Sequence, residues 1–202
     1  MNIDKKYYQV IRENLNNTIQ DTNIHVQNKQ VGKVRDAYFL DDKVLMVSTD
    51  RQSAFDRVLA RIPYKGAVLN LVSAWWFEKT KDQFPNHLIS TPDPNISLVE
   101  KCDVFQVEFV VRGYITGSTE TSLWTVYKNG AKEYCGNPIP SGLKKNQKLG
   151  EPMLTPTTKD KVHDRPVSKD EILELGLMTE EDFDKAAKMS LDLFNYGQRV
   201  AA

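Results

Sequence analysis

The spacing of hydrophobic side chains predicts a helix at the N-terminus of the chain and a β-hairpin soon after it. A four-residue spacing of apolar side chains, typical of one helix face, predicts a helix over residues 4–19 and runs through Tyr7, Ile11, Leu15 and Ile19. The polar residues 16–30 are expected to form a loop around a short extended piece. Val34–Leu40 and Lys43–Thr49 are rich in β-branched and aromatic residues and flank an Asp-Asp pair, which predicts two antiparallel strands joined by a tight turn.

The next segment changes from a strand pattern to a helical one. Arg57–Pro63 is a third extended run that ends at a proline, and Ala67–Gln83 carries apolar residues three and four positions apart, which predicts a helix. Its adjacent Trp75 and Trp76 could stack on a ligand. Aromatic residues at helical spacing more often fill a core, and we expect that role for both.

The centre of the chain predicts a connection, a strand, a short helix and a loop in turn. Residues 91–95 (TPDPN) form a proline-rich connection, after which Val104–Val111 has a strong β propensity. Ser118–Lys128 predicts a short helix that ends at Asn129-Gly130. Residues 134–166 hold five prolines and predict a long irregular stretch, which in compact proteins is usually functional or mobile.

Two helices are predicted at the end of the chain. Ser168 and Glu171 form the S-x-x-E pattern of a capping box, and Thr179 opens a longer helix whose apolar stripe includes Phe183 and Phe194. Strands therefore concentrate in the first half and helices in the second, so the predicted fold class is α+β and not alternating βαβ. We expect one domain over residues 1–111 and a second over residues 112–202.

Composition changes this picture only by excluding classes of protein. The 202 residues contain 27 Lys+Arg and 27 Asp+Glu, and this zero net charge removes the electrostatic argument for a general nucleic-acid or membrane-surface binder. Two cysteines are too few for a disulfide framework and form no zinc-ligand pattern, so we expect free thiols and a cytoplasmic protein. The charged N-terminus does not resemble a signal peptide, and no run approaches the roughly 20 apolar residues of a membrane span.

Four segments carry candidate chemistry, and each also has a purely structural explanation. Residues 31–36 (VGKVRD) place a glycine and basic residues at the start of a hairpin, where they can meet a phosphate or form a plain turn. Residues 48–56 (STDRQSAFD) put two carboxylates, an arginine and hydroxyls at a strand end. That composition suits a ligand-contacting loop or a capped turn with a surface salt bridge.

The other two segments lie in the second half of the chain. Residues 107–118 (VEFVVRGYITGS) bring Arg112 out of an apolar strand, which suits a phosphate or carboxylate ligand or an ion pair at the core edge. In residues 155–164 (TPTTKDKVHD), His163 beside Asp164 suits proton transfer at neutral pH or plain solvation. The sequence lacks GxSxG, HExxH, EF-hand and kinase HRD or DFG motifs, which argues against hydrolases, zinc peptidases and protein kinases.

Together and in this order, the four segments resemble the SAICAR synthetase family (phosphoribosylaminoimidazole-succinocarboxamide synthase) of de novo purine biosynthesis. Lys65 to Phe77 (KG…LN…S.WWF) fits as well, and the likeness runs from about Gln30 to the C-terminus. The resemblance implies an ATP-dependent ligase that joins L-aspartate to the carboxylate of carboxyaminoimidazole ribonucleotide (CAIR). The products would be SAICAR, ADP and phosphate, formed through an acyl phosphate with Mg²⁺ as cofactor.

The same resemblance implies an SAICAR synthase-like fold and a role for each candidate residue. It predicts an N-terminal antiparallel β lobe like the N-lobe of kinases, followed by a partial ATP-grasp-like α+β domain. The residues implied to bind ATP are Gly32, Lys33, Val34, Arg35 and Val104. Those implied to bind the nucleotide substrate are Arg51, Ser53, Arg112 and Ser118. Those implied to act near the reacting groups are Asp50, Asp56, His163 and Asp164.

The family pattern continues beyond the last predicted helix, whereas this sequence ends at Ala202. In the family a Lys…Glu strand and a PDSSR-like block follow, and they supply the magnesium ligands and a further arginine. We therefore expect no measurable SAICAR formation from the 202-residue chain itself. Two alternatives stay open: a non-catalytic fragment that binds ATP or CAIR, and a different kinase-lobed phosphotransferase. The expected partners are small molecules and neither nucleic acid nor membrane, while homo-oligomerisation stays open.

Overall fold

The chain divides into two compact units, Met1–Asp103 and Val104–Ala202. A computed structural model describes residues 4–26, 28–54, 57–159 and 164–202. We call the two parts the N-terminal unit and the C-terminal unit. Both contain helices and strands, so the α+β class predicted from the sequence is confirmed. The sequence-based domain boundary after residue 111 falls inside the C-terminal unit.

An antiparallel sheet of five strands forms the centre of the N-terminal unit, in the order β1-β2-β3-β7-β6. Strands β4 and β5 pair with each other in a separate two-stranded ribbon. The elements of this unit are α1 (Lys5–Glu13), β1 (Asn28–Val31), β2 (Arg35–Phe39), β3 (Lys43–Ser48), β4 (Arg51–Ala54), β5 (Arg57–Arg61), α2 (Lys65–Thr80), β6 (Leu88–Asp93) and β7 (Ile96–Glu100).

The predicted hairpin is confirmed, and a second hairpin corrects the reading of residues 91–95. Strands β2 and β3 pair around the Asp-Asp turn, with Tyr38 opposite Leu45. The proline-rich stretch is not a plain connection, because β6 and β7 turn there, with Asp93 opposite Ile96. The sheet tolerates Pro92 because β6 is an edge strand, where a missing backbone N–H leaves no inner ladder bond unmade.

The first helix is shorter than its apolar spacing predicts. Helix α1 begins after Asp4, whose side chain accepts the Lys6 N–H, and it ends before Asn14. Every residue of α1 is exposed. Leu15 and Ile19 therefore lie beyond the helix, and the predicted face over residues 4–19 is wrong in its second half.

Helix α2 packs on strands β3, β6 and β7, but much of its apolar surface faces outward. Trp75 is 51% exposed, so the expected core role is wrong for this residue, while Trp76 is half-buried and meets it edge-on. Apolar residues surround the helix, and only one side of it can face the sheet. The other exposed apolar residues of α2 are Val68, Leu69, Leu71 and Val72, and those of the adjoining β5 region are Val58, Leu59 and Ile62.

The C-terminal unit consists of short strand pairs and three helices along its described residues. Strand β9 pairs with β12, β8 with β13, and β10 with β11. The elements are β8 (Val107–Glu108), β9 (Val111–Tyr114), α3 (Leu123–Lys128), β10 (Glu133–Tyr134), β11 (Asn137–Pro138), β12 (Lys148–Leu154), β13 (Thr157–Thr158), α4 (Lys169–Glu174) and α5 (Glu180–Ala201).

Two predictions for this unit need correction. The strand predicted over Val104–Val111 is broken into β8 and β9, and residues 104–106 are irregular. The stretch over 134–166 is less irregular than expected, since it contains the seven-residue β12. Gly150 and Pro152 are residue types that are rare inside strands, so the sequence pattern does not predict β12. The pairing of β12 with β9 is irregular between Lys148 and Met153.

Two apolar clusters hold the C-terminal unit together. The first consists of Ile115, Leu123, Tyr134, Ile139, Leu149 and Met153, and the second of Val107, Val167, Ile172, Met178 and Phe183. The predicted capping box is confirmed: the Ser168 hydroxyl accepts the Glu171 N–H and the Glu171 carboxylate accepts the Ser168 N–H. Thr179 caps α5, as its position in the sequence indicates. Helix α3 ends at Asn129 as predicted but begins only at Leu123.

Candidate functional site

A turn of residues 32–34 joins β1 to β2. The Gly32 N–H donates to the Arg35 carbonyl at 2.8 Å and closes the turn. A Cβ atom at position 32 would lie 2.9 Å from that same carbonyl oxygen, so glycine is the residue that fits without a backbone shift. The turn thereby brings together four of the residues predicted to bind ATP: Gly32, Lys33, Val34 and Arg35.

Residues 49–51, at the end of β3, hold this turn in place. The Thr49 N–H and hydroxyl both donate to the Val34 carbonyl, at 3.0 and 2.8 Å. The Nη2 atom of Arg51 donates to the Gly32 carbonyl at 3.1 Å. Residues 31–36 and 48–56, two separate candidate segments of the sequence, are therefore joined by hydrogen bonds.

Arg51 is buried in an ion pair with Asp36. Its Nη2 lies 2.6 Å from the Asp36 Oδ1, with the two side chains 7% and 0% exposed. Its Nη1 donates to the Gln20 carbonyl at 2.9 Å, and its buried Nε has no hydrogen-bond partner among the described residues. The purely structural explanation of this segment predicted a salt bridge at the surface, whereas the ion pair of Arg51 with Asp36 is internal. Contact between Arg51 and substrate stays a prediction.

Three donors keep the buried Asp36 carboxylate ionised. The Thr22 hydroxyl donates to Oδ2 at 2.7 Å, and the Lys29 Nζ lies 3.1 Å from the same oxygen. Burial alone raises the pKa of Asp36, but hydrogen bonds from Thr22, Arg51 and Lys29 outweigh it, and the pKa of this carboxyl is lowered. The negative charge is therefore retained inside the unit at neutral pH.

Asp50 ties the end of β3 to the start of α2. Its Oδ1 accepts the Gly66 N–H at 2.9 Å and its Oδ2 accepts the Ile19 N–H at 2.8 Å, and the residue is 3% exposed. The N-cap position of α2 is held by Tyr64, which is not a capping residue type, so Asp50 supplies the carboxylate that favours a helix N-terminus. A catalytic role for Asp50 stays a prediction.

A cleft of about 90 Å³ lies between the sheet and α2. Three side chains of basic residue types line it: Arg35, Lys65 and His87. The Lys65 Nζ donates to the Arg51 carbonyl at 3.1 Å, which fixes it at the end of β3. Hydroxyl and amide groups complete the polar lining, and they belong to Ser48, Thr49, Asn70, Ser73 and Ser97. Apolar side chains form the remaining wall, namely Val34, Met46, Leu69, Phe77 and Val99.

Two features of this cleft favour the neutral form of the His87 imidazole. Burial lowers the pKa of His87, and the neighbouring positive charge of Arg35 lowers it further. Its ring packs edge-on against Phe77, with 5.2 Å between the ring centroids. An anion placed beside Arg35 would offset the positive charge that His87 experiences.

In the C-terminal unit, Arg112 is oriented by a buried threonine. The Arg112 Nε donates to the Thr155 Oγ1 at 2.9 Å, and the Thr155 hydroxyl donates to the Val110 carbonyl at 2.9 Å. Thr155 is 1% exposed, so this contact gives the guanidinium a fixed support.

Burial raises the pKa of the neighbouring Cys135 thiol to about 11, which keeps that thiol protonated.

The remaining predicted site residues are spread over both units. Ser53 is half-buried in β4. Val104 is 68% exposed, and Ser118 and Asp164 are also exposed. Asp56 and His163 lie outside the described residues.

Among the cleft residues outside the predicted set are Thr49, Lys65 and His87. Thr49 sits inside a segment that the sequence did single out, and its partner Val34 is fifteen residues away. Lys65 and the following glycine precede the predicted helix, which is a usable signal for a residue at a helix start. His87 is a lone histidine in a polar stretch, and nothing in its sequence surroundings marks it.

Metal-ligating side chains are not clustered among the described residues. Nowhere along residues 4–26, 28–54, 57–159 and 164–202 do three His, Cys, Asp or Glu side chains form a group that could hold a metal ion. The buried carboxylates of Asp36 and Asp50 are occupied by the donors described above. Over the same ranges, no helix is long and apolar enough to cross a membrane.

Comparison with known proteins gives the same family throughout. The family profile of SAICAR synthetase matches residues 28–202. The phosphoribosylaminoimidazole-succinocarboxamide synthase of Legionella pneumophila (strain Lens) is 56% identical over 183 residues, which cover 91% of this chain and 59% of that protein. The chloroplastic synthase of Vigna aconitifolia is 55% identical and is matched over 96% of this chain and 58% of its own length. The chain thus spans about three-fifths of the curated relatives that it matches.

A solved structure supports the fold. The SAICAR synthase of Saccharomyces cerevisiae in complex with SAICAR superposes with a TM-score of 0.76 at 30% identity, and the match covers 88% of this chain and 64% of the yeast chain.

Proposed function

Because the chain belongs to the SAICAR synthetase family, we propose that it carries nucleotide- and substrate-binding residues of an ATP-dependent ligase. The reaction joins L-aspartate to the carboxylate of CAIR and gives SAICAR, ADP and phosphate. The observation that carries this proposal is the glycine turn of residues 32–34 beside a cleft lined by Arg35 and Lys65, both within the N-terminal unit.

This arrangement suits the phosphates of ATP. A guanidinium and an ammonium group at one cleft offset phosphate charge, and a glycine turn allows backbone N–H groups to approach closely. The apolar wall of Val34, Met46 and Val99 suits the flat face of a base. The predicted ATP-binding residue Lys33 belongs to the same proposal, while Val104, in the C-terminal unit, stays a separate prediction from the sequence.

The chemistry asks mainly for positioning and charge compensation. A carboxylate is a poor acyl donor, so ATP first phosphorylates the CAIR carboxylate. The aspartate amine then attacks the acyl phosphate, and phosphate leaves. A protein can accelerate both steps by holding the reactants in line and by stabilising the charge of the transferred group.

Arg112 is the proposed anchor for the phosphate or carboxylate of CAIR. Its Nε contact with Thr155 leaves a guanidinium with a fixed orientation, which suits bidentate recognition of an anion. The yeast relative, whose structure contains SAICAR, makes a nucleotide of this class a reasonable ligand for the family's fold. Ser118, Ser53, Asp164, Asp56 and His163 keep the substrate-side roles predicted from the sequence.

Titration of ATP into the 202-residue chain tests the nucleotide site. Arg35→Ala should weaken ATP binding by about tenfold or more, the size expected for losing one charge-assisted contact. Arg12→Ala removes an exposed arginine from α1 and serves as the matched control, with unchanged affinity. Failure of the unaltered chain to bind ATP in calorimetry, with or without added Mg²⁺, would refute the proposed nucleotide site.

Nuclear magnetic resonance adds a readout of where the phosphates lie. ATP bound beside Arg35 should raise the pKa of His87 from its lowered value, because an anion stabilises the imidazolium. A His87 titration curve that is identical with and without saturating ATP would place the phosphates elsewhere.

Titration of SAICAR tests the second site. Arg112→Ala should weaken SAICAR binding by about tenfold or more and leave ATP affinity unchanged. Arg112→Lys keeps the positive charge but loses the planar fork, so it should recover only part of the affinity. Equal SAICAR affinity in the unaltered chain and in Arg112→Ala would contradict the role of this residue.

A further inference from the structure

Two residues that follow β3 donate hydrogen bonds to carbonyl groups of the 32–34 turn, which is proposed to bind phosphate. Thr49 donates two hydrogen bonds to the Val34 carbonyl, and Arg51 donates one to the Gly32 carbonyl. We call Thr49 and Arg51 the turn clamp. Both residues are buried, with 1% and 6% of their surface exposed.

Because a peptide group is planar, a hydrogen bond that fixes its carbonyl also fixes the direction of its N–H. In a trans peptide the N–H points opposite to the C=O of the same plane. The Gly32 carbonyl and the Lys33 N–H share one plane, so fixing the carbonyl on Arg51 also fixes the direction of that N–H. The same holds for the Val34 carbonyl and the Arg35 N–H.

The guanidinium of Arg51 has little capacity left for a ligand. Its Nη2 is shared between Asp36 and the Gly32 carbonyl, and its Nη1 donates to the Gln20 carbonyl. The Nε has no partner among the described residues but is buried, so a substrate could reach it only if the structure around Arg51 and the completely buried Asp36 opened. Contact through Nη2 would break its bond to Asp36 or to the Gly32 carbonyl. A lost partner for a buried charge costs more than a new surface contact contributes.

We propose that Thr49 and Arg51 are positioning residues: they set the orientation of the 32–34 turn toward a bound phosphate, and Arg51 does not itself contact substrate. The claim that the turn is oriented toward a phosphate rests on the proposed nucleotide site. The claim that these two residues order the turn does not depend on that site. In this proposal Arg51 acts through the turn, and not by the substrate contact that the resemblance predicts for it.

Thr49→Val is the sharpest variant, since it removes the hydroxyl donor and keeps side-chain shape and the backbone bond. Thr49→Ser restores the hydroxyl. Thr80→Val is the matched control in the same unit, because Thr80 is also buried and its hydroxyl also donates to a backbone carbonyl, that of Trp76, at 2.7 Å. Arg51→Lys keeps the charge but cannot hold Asp36, Gly32 and Gln20 at once.

Hydrogen–deuterium exchange measures the order of the turn, and calorimetry with ATP measures its consequence. For Thr49→Val, exchange in peptides that span residues 31–36 should rise about threefold to tenfold, and ATP affinity should fall by a similar factor. Exchange in peptides from β7 should not change. Thr49→Ser should restore both quantities, Arg51→Lys should move both in the same direction as Thr49→Val, and Thr80→Val should move neither.

The outcomes separate this inference from the proposed function. Exchange in the turn that rises no more in Thr49→Val than in Thr80→Val would overturn the clamp. Equal loosening of the turn and of β7 would also overturn it, since that describes general destabilisation. A loosened turn with unchanged ATP affinity would remove the positioning role and leave the nucleotide site intact. A loosened turn in a chain that binds no ATP would uphold the clamp and refute the nucleotide site.

Discussion

The two units of this protein bury opposite kinds of side chains. Among the described residues, four of the fifteen buried hydrophobic side chains belong to the N-terminal unit, namely Tyr38, Val44, Val47 and Val99. Eight of the eleven buried polar or charged ones belong to it as well, including Asp36, Asp50 and Arg51. The C-terminal unit reverses this proportion and relies on two apolar clusters.

The difference shows how each unit obtains its geometry. Apolar burial is strong but non-directional, so it favours compactness more than a particular arrangement. Hydrogen bonds and ion pairs fix distances and angles, and a buried one is costly to leave unmade. The unit with the glycine turn and the cationic cleft is the one that uses the directional interactions.

Removal of the buried guanidinium gives the largest expected contrast between the units. Arg51→Met should lower the free energy of unfolding by about 3–5 kcal/mol, because the buried Asp36 carboxylate loses its buried cationic partner and keeps only Lys29 and Thr22. Arg165→Met breaks a half-exposed pair with Glu171 in the C-terminal unit and should cost about 1 kcal/mol or less. Urea unfolding followed by circular dichroism measures both. Similar losses in the two variants would erase the distinction between these pairs.

Truncation of a leucine tests the apolar side of the comparison. Leu123→Ala, at a completely buried position of the C-terminal unit, should lower the free energy of unfolding by about 2–5 kcal/mol. The same substitution at Leu71, which is 47% exposed on α2, should change it by about 0.5 kcal/mol or less. The same denaturation assay applies. A large effect at Leu71 would mean that the outer side of α2 is covered in solution.

Acid should lower the free energy of unfolding of the N-terminal unit through protonation of Asp36. Its folded pKa is lowered, so its stabilising contribution is complete above the unfolded value of about 3.9 and is lost as the pH falls through the folded value. One such group contributes a slope of at most about 1.4 kcal/mol per pH unit. Unfolding free energies measured from pH 6 to pH 2 should show this component, and Asp36→Asn should lack it. Parallel pH profiles for the two proteins would argue against it.

The cysteines give the smallest perturbation and report burial directly. Cys102 is exposed in the N-terminal unit, whereas Cys135 has its pKa raised to about 11 by burial. At pH 8 the thiolate fraction of Cys135 is roughly a thousandth, and we expect it to react about a hundredfold more slowly than an ordinary exposed thiol. Labelling with a chromogenic disulfide should show one fast and one slow phase. Two equally fast thiols would indicate that the Cys135 region opens readily.

Predictability from sequence follows the type of interaction that decides each element. Helices α4 and α5 were predictable because their caps involve residues only three positions apart. The hairpin of β2 and β3 was predictable because its alternation and its turn are local. In contrast, β6 and β12 contain prolines, and only their partners across the sheet show them to be strands.

The candidate site shows the same limit. The segment at 48–56 was identifiable from its composition, and a capped turn with a surface salt bridge was one of the two expected explanations. That Arg51 pairs with Asp36, fifteen residues earlier, depends on the register of β2 and β3 and not on any local pattern. Likewise the outward position of Trp75 depends on how much of α2 the sheet can cover, and its spacing in the sequence does not specify this.

The exposed apolar residues of α2 and of β5 have a consequence for the colloidal behaviour of this polypeptide. The chain has zero formal net charge at pH 7 and an isoelectric point near 6.8, so at neutral pH no long-range repulsion opposes contact between such surfaces. Attraction between exposed apolar patches then dominates and is strengthened by sulfate or phosphate salts. The saturating concentration of the protein should therefore pass through a minimum near pH 6.8 and rise toward pH 8.5.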